Sequence, residues 1–133
     1  RTLSTGLGIG SRLPVFCSAL GRAVLSRLGT EEVWEHLASV PMEKWTPRTV
    51  DSIASAVDSV EHCRLHGWAE CDEELEMGVR SIAVPISNAS EKCIAALSLS
   101  VRAERMTMEE FRSTHLATIE EARDELIRLK VTF

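Results

Sequence analysis

Residues 79–101 read VRSIAVPISNASEKCIAALSLSV, and this stretch decides the fold. Two apolar runs, residues 79–86 and residues 94–101, flank SNASEKC, a segment made mostly of polar and turn-forming residues. Runs of this length that are bounded by such residues are typical of strands joined by a hairpin loop. The sequence therefore predicts two neighbouring antiparallel strands.

Side chains alternate between the two faces of a strand, so these runs can be sorted by face. The predicted core face, packed under a helix, comprises Ile82, Val84, Ile86, Ala95, Leu97, Leu99 and Val101. The opposite face comprises Val79, Ser81, Ala83, Ala96, Ser98 and Ser100. Its side chains are small and three carry hydroxyl groups, which can orient a small polar ligand in an apolar concavity. A strand face that meets water is the competing interpretation.

Three helices are predicted ahead of the hairpin. Residues 18–29 form the first, with Ser18 as its N-cap and Gly29 just past its end. Residues 30–39 form the second, capped by Thr30, and residues 51–66 form the third, which Gly67 ends.

A long helix is predicted over residues 107–129, where Thr107 and Glu110 have the spacing of a capping box. Its apolar stripe comprises Met108, Phe111, Ile119, Ala122, Leu126 and Leu129. Residues 1–10 and 68–71 are predicted to be extended, and residues 71–78 to form an acidic turn. The fold class is therefore α+β, with helices covering an antiparallel sheet in a single domain that spans residues 1–133.

The composition restricts the classes of function. The chain of 133 residues has a net charge of −5 and no cluster of Lys and Arg, so this segment is a poor candidate for binding nucleic acid. No apolar run is long enough to cross a bilayer, and we predict no membrane partner.

The four cysteines form no CxxC pair, which favours reduced thiols in a cytoplasmic protein. Because no initiator Met is present, we expect the chain to begin inside a longer protein.

The start of the first helix, Cys17-Ser18-Ala19-Leu20-Gly21, is a second candidate for ligand contact. Free N–H groups at a helix start bind carboxylates and phosphates, and Gly21 allows other backbone to approach closely. Ordinary capping by Ser18 is the alternative. If this helix start faces the serines, N–H groups and hydroxyls would converge on a carboxylate.

Four segments resemble the effector-binding domain of the IclR family of bacterial transcriptional regulators. They are GSRLPVFCSALGRAVLS (residues 10–26), LASVPMEKWTPRTV (37–50), HGWAECDEELEMGVRSIAVPI (66–86) and IAALSLSV (94–101), in the order and spacing of the family. The wording RLP…CSALGR is most similar to regulators of aromatic-acid catabolism.

The resemblance implies a GAF-like fold, a curved antiparallel sheet of about six strands flanked by helices. It also implies a homodimer or homotetramer whose DNA contacts come from an N-terminal winged helix-turn-helix domain absent from this chain. The implied partner is a small carboxylate effector, an aromatic or keto acid metabolite, and no cofactor is implied.

The resemblance further implies site residues. The effector carboxylate would be held by the backbone N–H groups of Ala19 and Leu20 and by the hydroxyls of Ser98 and Ser100. The other implied contacts are Leu13, Cys71, Val79 and Ser81, with Thr2 and Thr5 as further wall positions. Cys71 departs from relatives that carry Asp there, and Glu91 departs from relatives with Gly. Arg12 and Arg80 are additional candidates, although a solvated or interface arginine is the simpler interpretation of both.

Three other functions compete with ligand sensing. His62, Cys63, His66 and Cys71 could hold zinc, although no CxxC pair anchors such a site. Cys17 at a helix start could be an activated nucleophile, but no motif ties it to a histidine, and we predict no enzyme. A purely structural oligomerisation domain, with the serines bonded to one another, is the third alternative.

Overall fold

A computed structural model describes residues 8–88, 90 and 92–129. Its helices are α1 (Ala19–Leu25), α2 (Thr30–Ala38), α3 (Ile53–His66) and α4 (Met108–Arg128). Its strands are β1 (Ala69–Asp72), β2 (Val79–Ser87) and β3 (Cys93–Arg102). The α+β class is confirmed.

The three strands form one antiparallel sheet in the order β1-β2-β3. The predicted hairpin is confirmed, with Ser81 opposite Ser100 and Ala83 opposite Ser98. The described residues thus show three strands where the resemblance implied about six. The extended segment predicted for residues 1–10 lies mostly outside the described residues, as do Thr2, Thr5 and Glu91.

The two faces of the sheet are covered by different helices. Ile82 and Val84 are buried on one face against Phe111 and Ile119 of α4, as the alternation predicted. Leu97 and Val101 are partly buried in the same cluster. Leu99 is 38% exposed, so its predicted burial was wrong.

The other face of the sheet packs against α1 through small side chains. Ala19 and Ala23 of α1 are buried with Ala69, Cys71 and Ala83 of the sheet. Because these side chains are so short, the helix lies close to the strands. A second core cluster behind α1 joins it to α2 and α3 through Phe16, Leu25, Val33, Leu37 and Val60.

Local sequence signals explain most helix boundaries. Ser18 and Ser52 accept hydrogen bonds from N–H groups in the first turns of α1 and α3. Gly67 ends α3 in the left-handed region with φ 94°, where its N–H donates to the carbonyl of Cys63 at 2.7 Å. Both halves of the predicted capping box, between Thr107 and Glu110, are present in α4.

Three helix predictions were wrong. The first helix ends at Leu25, because the Ser26 hydroxyl donates to the Ala23 carbonyl and competes with continued helix. Gly29 is instead the N-cap of α2, and Thr30 is its first residue rather than its cap. Ala122 of α4 and its C-cap Leu129 are exposed, since the buried residues of the helix, Phe111 and Ile119, both precede them.

Candidate functional site

A cavity of about 350 Å³ lies between the start of α1 and the serine face of the sheet. All eight residues implied as ligand contacts line it: Leu13, Ala19, Leu20, Cys71, Val79, Ser81, Ser98 and Ser100. Five further residues complete the lining: Ser18, Leu75, Glu76, Val101 and Arg102. The fold therefore brings the predicted set together from three strands, one helix and one loop.

The hydroxyl groups of this cavity come from alternate positions on β2 and β3. Ser81 and Ser100 are directly opposed in the ladder, and their hydroxyl oxygens lie 2.7 Å apart. Ser98 is two residues further along β3 on the same face, opposite the small Ala83. Val79 and Val101 are the apolar side chains of this strand wall, and Arg102 adds a charged one at the end of β3.

The start of α1 forms the facing wall. The Ser18 hydroxyl donates to the Pro14 carbonyl at 2.7 Å and accepts from the Gly21 N–H at 3.1 Å, so the predicted cap exists. The N–H groups of Ala19 and Leu20 donate to no acceptor among the described residues. Capping by Ser18 therefore leaves two N–H groups of the first turn available at the cavity.

Gly21 sets the path of the chain into this helix start. A Cβ atom at this position would lie 2.5 Å from the Val15 Cα and 2.6 Å from the Val15 carbonyl oxygen. No side chain fits there, which confirms the predicted close approach. The loop that carries Leu13 is thus held directly against α1.

Cys71 and Cys17 meet at the floor of the cavity. The Cys71 thiol lines the cavity and donates to the Cys17 carbonyl at 3.0 Å. Burial raises the pKa of Cys71, which keeps this side chain neutral. Burial, reinforced by Cys71, raises the pKa of Cys17 to about 12. An activated nucleophile needs a lowered pKa, so the geometry contradicts that role for Cys17.

The loop between β1 and β2 supplies Leu75 and Glu76 and is anchored from several directions. Buried Thr46 and Thr49 donate from their hydroxyls to the carbonyls of Glu73 and Glu74, both at 2.6 Å. Glu73 itself is in the left-handed region with φ 58°. Its carboxylate accepts from the Gly78 N–H at 2.9 Å, which closes the loop internally. This loop is therefore a fixed wall.

A buried ion pair ties the loop to α1. Arg22 is 1% exposed, and its two terminal nitrogens donate to the two carboxylate oxygens of Glu74, each at 2.7 Å. The guanidinium also donates to the carbonyls of Phe16 and Glu70. Burial alone would lower the pKa of Arg22, but Glu74 outweighs it and raises the pKa. Arg22 thus joins α1, β1 and the loop in one rigid unit.

Sequence reasoning missed Arg22, Glu74, Thr46 and Thr49 because charged and hydroxyl side chains are mostly exposed. The signal for Arg22 was its place in α1 beside the buried positions Ala19 and Ala23. Arg102 was also missed, although the alternation that selected Ser98 and Ser100 selects it next.

The two other candidate arginines lie elsewhere. Arg80 is on the far side of β2, where it donates to Asp72 at 2.8 Å and to the carbonyls of Ala103 and Met106. Arg80 is therefore a structural anchor rather than a solvated arginine. Arg12 is exposed and is not part of the cavity lining.

The zinc alternative is contradicted by the placement of its four residues. The rings of His62 and His66 are exposed and stack with centroids 4.4 Å apart, whereas Cys63 is buried in the core. Cys71 points into the cavity instead. Within the part of the chain that is described, no group of His, Cys, Asp or Glu side chains is arranged to hold a metal ion.

A second cavity, of about 330 Å³, lies on the α3 side of β1 and is lined mainly by acidic residues. Three of its carboxylates already have guanidinium partners: Glu70 pairs with Arg112, Asp72 with Arg48 and Arg80, and Glu74 with Arg22. This cavity is therefore lined by internal ion pairs.

In residues 8–88, 90 and 92–129, no helix has the length and apolarity to span a membrane.

Comparison with known proteins identifies the family. Residues 1–127 match the family described as bacterial transcriptional regulator IclR, C-terminal. The chain belongs to this family. The IclR C-terminal domain is the ligand-binding part of these transcriptional regulators, and the relatives are regulators rather than enzymes.

Individual relatives agree with this assignment. The Pca regulon regulatory protein of Pseudomonas putida is 36% identical over 116 residues, which is 87% of this chain and 40% of that protein. The regulator XynR of Escherichia coli is 38% identical over 98 residues, covering 74% of this chain and 39% of that protein. The chain thus spans about two fifths of the length of these curated relatives.

Two solved structures share the fold of this IclR domain. A transcriptional regulator from Rhodococcus sp. RHA1 has a TM-score of 0.88 and 29% identity, over 96% of this chain and 51% of that one. A double mutant of the PobR inducer binding domain from Acinetobacter, in complex with 3-hydroxy benzoic acid, has a TM-score of 0.84 and 28% identity. That match covers 92% of this chain and 70% of the PobR chain.

Proposed function

We propose that this IclR-family domain senses a small carboxylate, an aromatic or keto acid metabolite. The carboxylate is held by the N–H groups of Ala19 and Leu20 from one side and by the hydroxyls of Ser98 and Ser100 from the other. Ser81 supports Ser100 through their shared hydrogen bond. The observation that carries the proposal is that two N–H groups with no acceptor among the described residues lie across one cavity from the serine hydroxyls.

The chemistry of these donors favours an anion. Hydrogen bonds to a charged acceptor are roughly twice as strong as those between neutral groups. The floor and walls, formed by Leu13, Leu20, Leu75, Val79 and the neutral thiol of Cys71, suit an apolar body. A cavity of about 350 Å³ is at the small end of the range for ligand pockets, which matches a compact metabolite.

The relatives support an aromatic acid as the first class to test. A double mutant of the PobR inducer binding domain is in complex with 3-hydroxy benzoic acid, and the Pseudomonas putida relative is named as the regulatory protein of the Pca regulon. The donors proposed for this carboxylate are neutral, so any acid that presents a carboxylate at the serine row and an apolar body to the leucines would satisfy them.

The complete protein is proposed to be a cytoplasmic regulator in which residues 1–133 form one effector-binding domain. Its DNA contacts would come from an N-terminal winged helix-turn-helix domain, and it would act as a homodimer or homotetramer. A GAF-like sheet of about six strands, implied by the resemblance, stays a prediction for the complete domain. Effector binding then shifts the population of regulator states.

A thermal-shift screen of aromatic and keto acids against this domain tests the proposal. An acid that binds the folded state alone, at a hundred times its Kd, adds about 2.7 kcal/mol to the free energy of unfolding. We expect one or more benzoate or keto-acid ligands to raise the melting temperature in a concentration-dependent manner. If none does, the domain serves oligomerisation alone and the serines bond only to one another.

A further inference from the structure

Arg102 continues the row of serines along β3. Side chains two residues apart share a face of a strand, so Ser98, Ser100 and Arg102 point the same way. The ladder pairs Arg102 with Val79, which also lines the cavity. Arg102 therefore closes the row with a cation at the end of β3.

The guanidinium of Arg102 makes few hydrogen bonds to the described residues. Its Nε donates to Glu104 at 3.0 Å, and its two terminal nitrogens donate to no described residue. The side chains of Arg102 and Glu104 are 72% and 73% exposed. An ion pair that exposed contributes little, and arginine has five donors arranged to meet a carboxylate. The guanidinium can accordingly turn toward a second anionic group without losing a strong interaction.

We propose that Arg102 determines effector specificity by binding a second acidic group, so that the preferred effector is a diacid. This inference rests on the proposed function, because the first carboxylate must lie at the serine row. Ser100 and Arg102 are about 7 Å apart along the strand, two residues of extended chain. A compact diacid with its carboxylates at opposite ends of a six-carbon body spans that separation.

The charges around Arg102 sharpen this inference. Glu76 lines the cavity, and Glu104 draws on the guanidinium from the solvent side. A second carboxylate of the effector therefore competes with the Glu104 carboxylate for the Arg102 guanidinium. Diacid selectivity must come from Arg102 itself, and removing its competitor Glu104 should strengthen it.

Matched ligand pairs test the inference. Each diacid is compared with its own monoamide, which has the same shape but lacks the second charge: terephthalate with its monoamide, and adipate with its monoamide. For the ligand pair that fits the cavity, calorimetry on the wild-type domain is expected to show that the diacid binds about fivefold more tightly than its monoamide. This is the gain expected from one exposed ion pair. Arg102→Gln is expected to reduce this ratio to about one, Arg102→Lys to keep part of it, and Glu104→Gln to raise it.

The outcomes separate the two proposals. Equal wild-type affinity for diacid and monoamide, or a ratio unchanged in Arg102→Gln, overturns the role of Arg102 and leaves the serine site intact. If Ser98→Ala with Ser100→Ala weakens both members of a pair equally, the first carboxylate lies at the serine row as proposed. If that double variant weakens neither, or if no acid binds, the proposed function fails and the diacid inference falls with it.

Discussion

The hydroxyl oxygens of Ser81 and Ser100 lie 2.7 Å apart across the ladder between β2 and β3. Each hydroxyl has one proton, so the pair uses one proton internally and retains one to donate outward. The pair is therefore satisfied without a ligand and still presents a donor to one. This explains how hydroxyls can lie on a largely apolar wall without destabilising the folded chain.

The first prediction concerns that wall. The double variant Ser98→Ala, Ser100→Ala is expected to fold nearly as well as the wild type, because Ser98 is half-buried and Ser100 exposed. It is expected to bind an effector acid more weakly by about 1–3 kcal/mol, since hydrogen bonds to a charged group are lost. Isothermal titration calorimetry measures the affinity. Ser113→Ala, on the exposed side of α4, is the matched control; unchanged affinity in the double variant would refute the assigned site.

The second prediction concerns Gly21. Gly21→Ala places a methyl group 2.5 Å from the Val15 Cα, so the loop and α1 must separate at a cost of about 1–3 kcal/mol in the free energy of unfolding. Urea denaturation measures this cost. Gly29→Ser is the control, because its nearest contact is an ordinary 3.5 Å and serine adds a side-chain cap to α2. A Gly21→Ala protein as stable as the wild type would show that the loop path is not fixed by this contact.

The third prediction concerns the buried ion pair. Glu74→Gln leaves the Arg22 guanidinium buried without its counter-charge, which costs about 3–5 kcal/mol in the free energy of unfolding. Glu61→Gln removes the more exposed pair with Arg64 and is expected to cost less than about 1 kcal/mol. Replacing both Arg22 and Glu74 by methionine should cost less than the sum of the two single changes. Additive costs would mean that the two side chains do not act as a pair.

The fourth prediction concerns the thiols. Iodoacetamide at pH 8 should label Cys93 first, since it is only half-buried, whereas Cys17 and Cys63 should react only when the chain unfolds. Peptide mass mapping across a urea series distinguishes the sites. Rapid labelling of Cys17 in the folded protein would contradict both its burial and its raised pKa.

The raised pKa of Cys17 also predicts how the free energy of unfolding changes with pH. Folding favours the protonated thiol, so its stabilising contribution is complete below pH 9 and is lost as the pH rises toward 12. Cys17→Ala removes this contribution, and its free energy of unfolding should therefore fall less steeply over that interval than the wild-type value. Parallel curves for the two proteins would contradict this assignment.

Much of the fold could be predicted because its signals are local. The two apolar runs that flank a polar segment in residues 79–101 predicted the hairpin, and their alternation separated the serines from Ile82 and Val84 correctly. Ser18, Gly67 and Thr107 marked helix boundaries through hydrogen bonds that each residue type makes within one turn. Where two local signals competed, as at Ser26 and Gly29, the sequence alone did not rank them.

Only part of the cavity could be predicted from the sequence. The resemblance supplied the eight lining residues, whereas the loop that completes the wall depends on contacts between distant segments. Arg22 and Glu74 are 52 positions apart, and Thr46 is 27 positions from Glu73. No periodic pattern marks such pairs, because each side chain looks like an ordinary surface residue until the fold brings its partner to it.

The anchored loop between β1 and β2 affects which ligand shapes the pocket can accept. Leu75 follows Glu74, whose carbonyl accepts from Thr49 and whose carboxylate pairs with Arg22, so this wall cannot yield to a bulky ligand. The end near Arg102 faces solvent and imposes no such limit. The site therefore limits the width of a ligand more than its length. Changes at the open end alone could then adapt such a pocket to longer effectors.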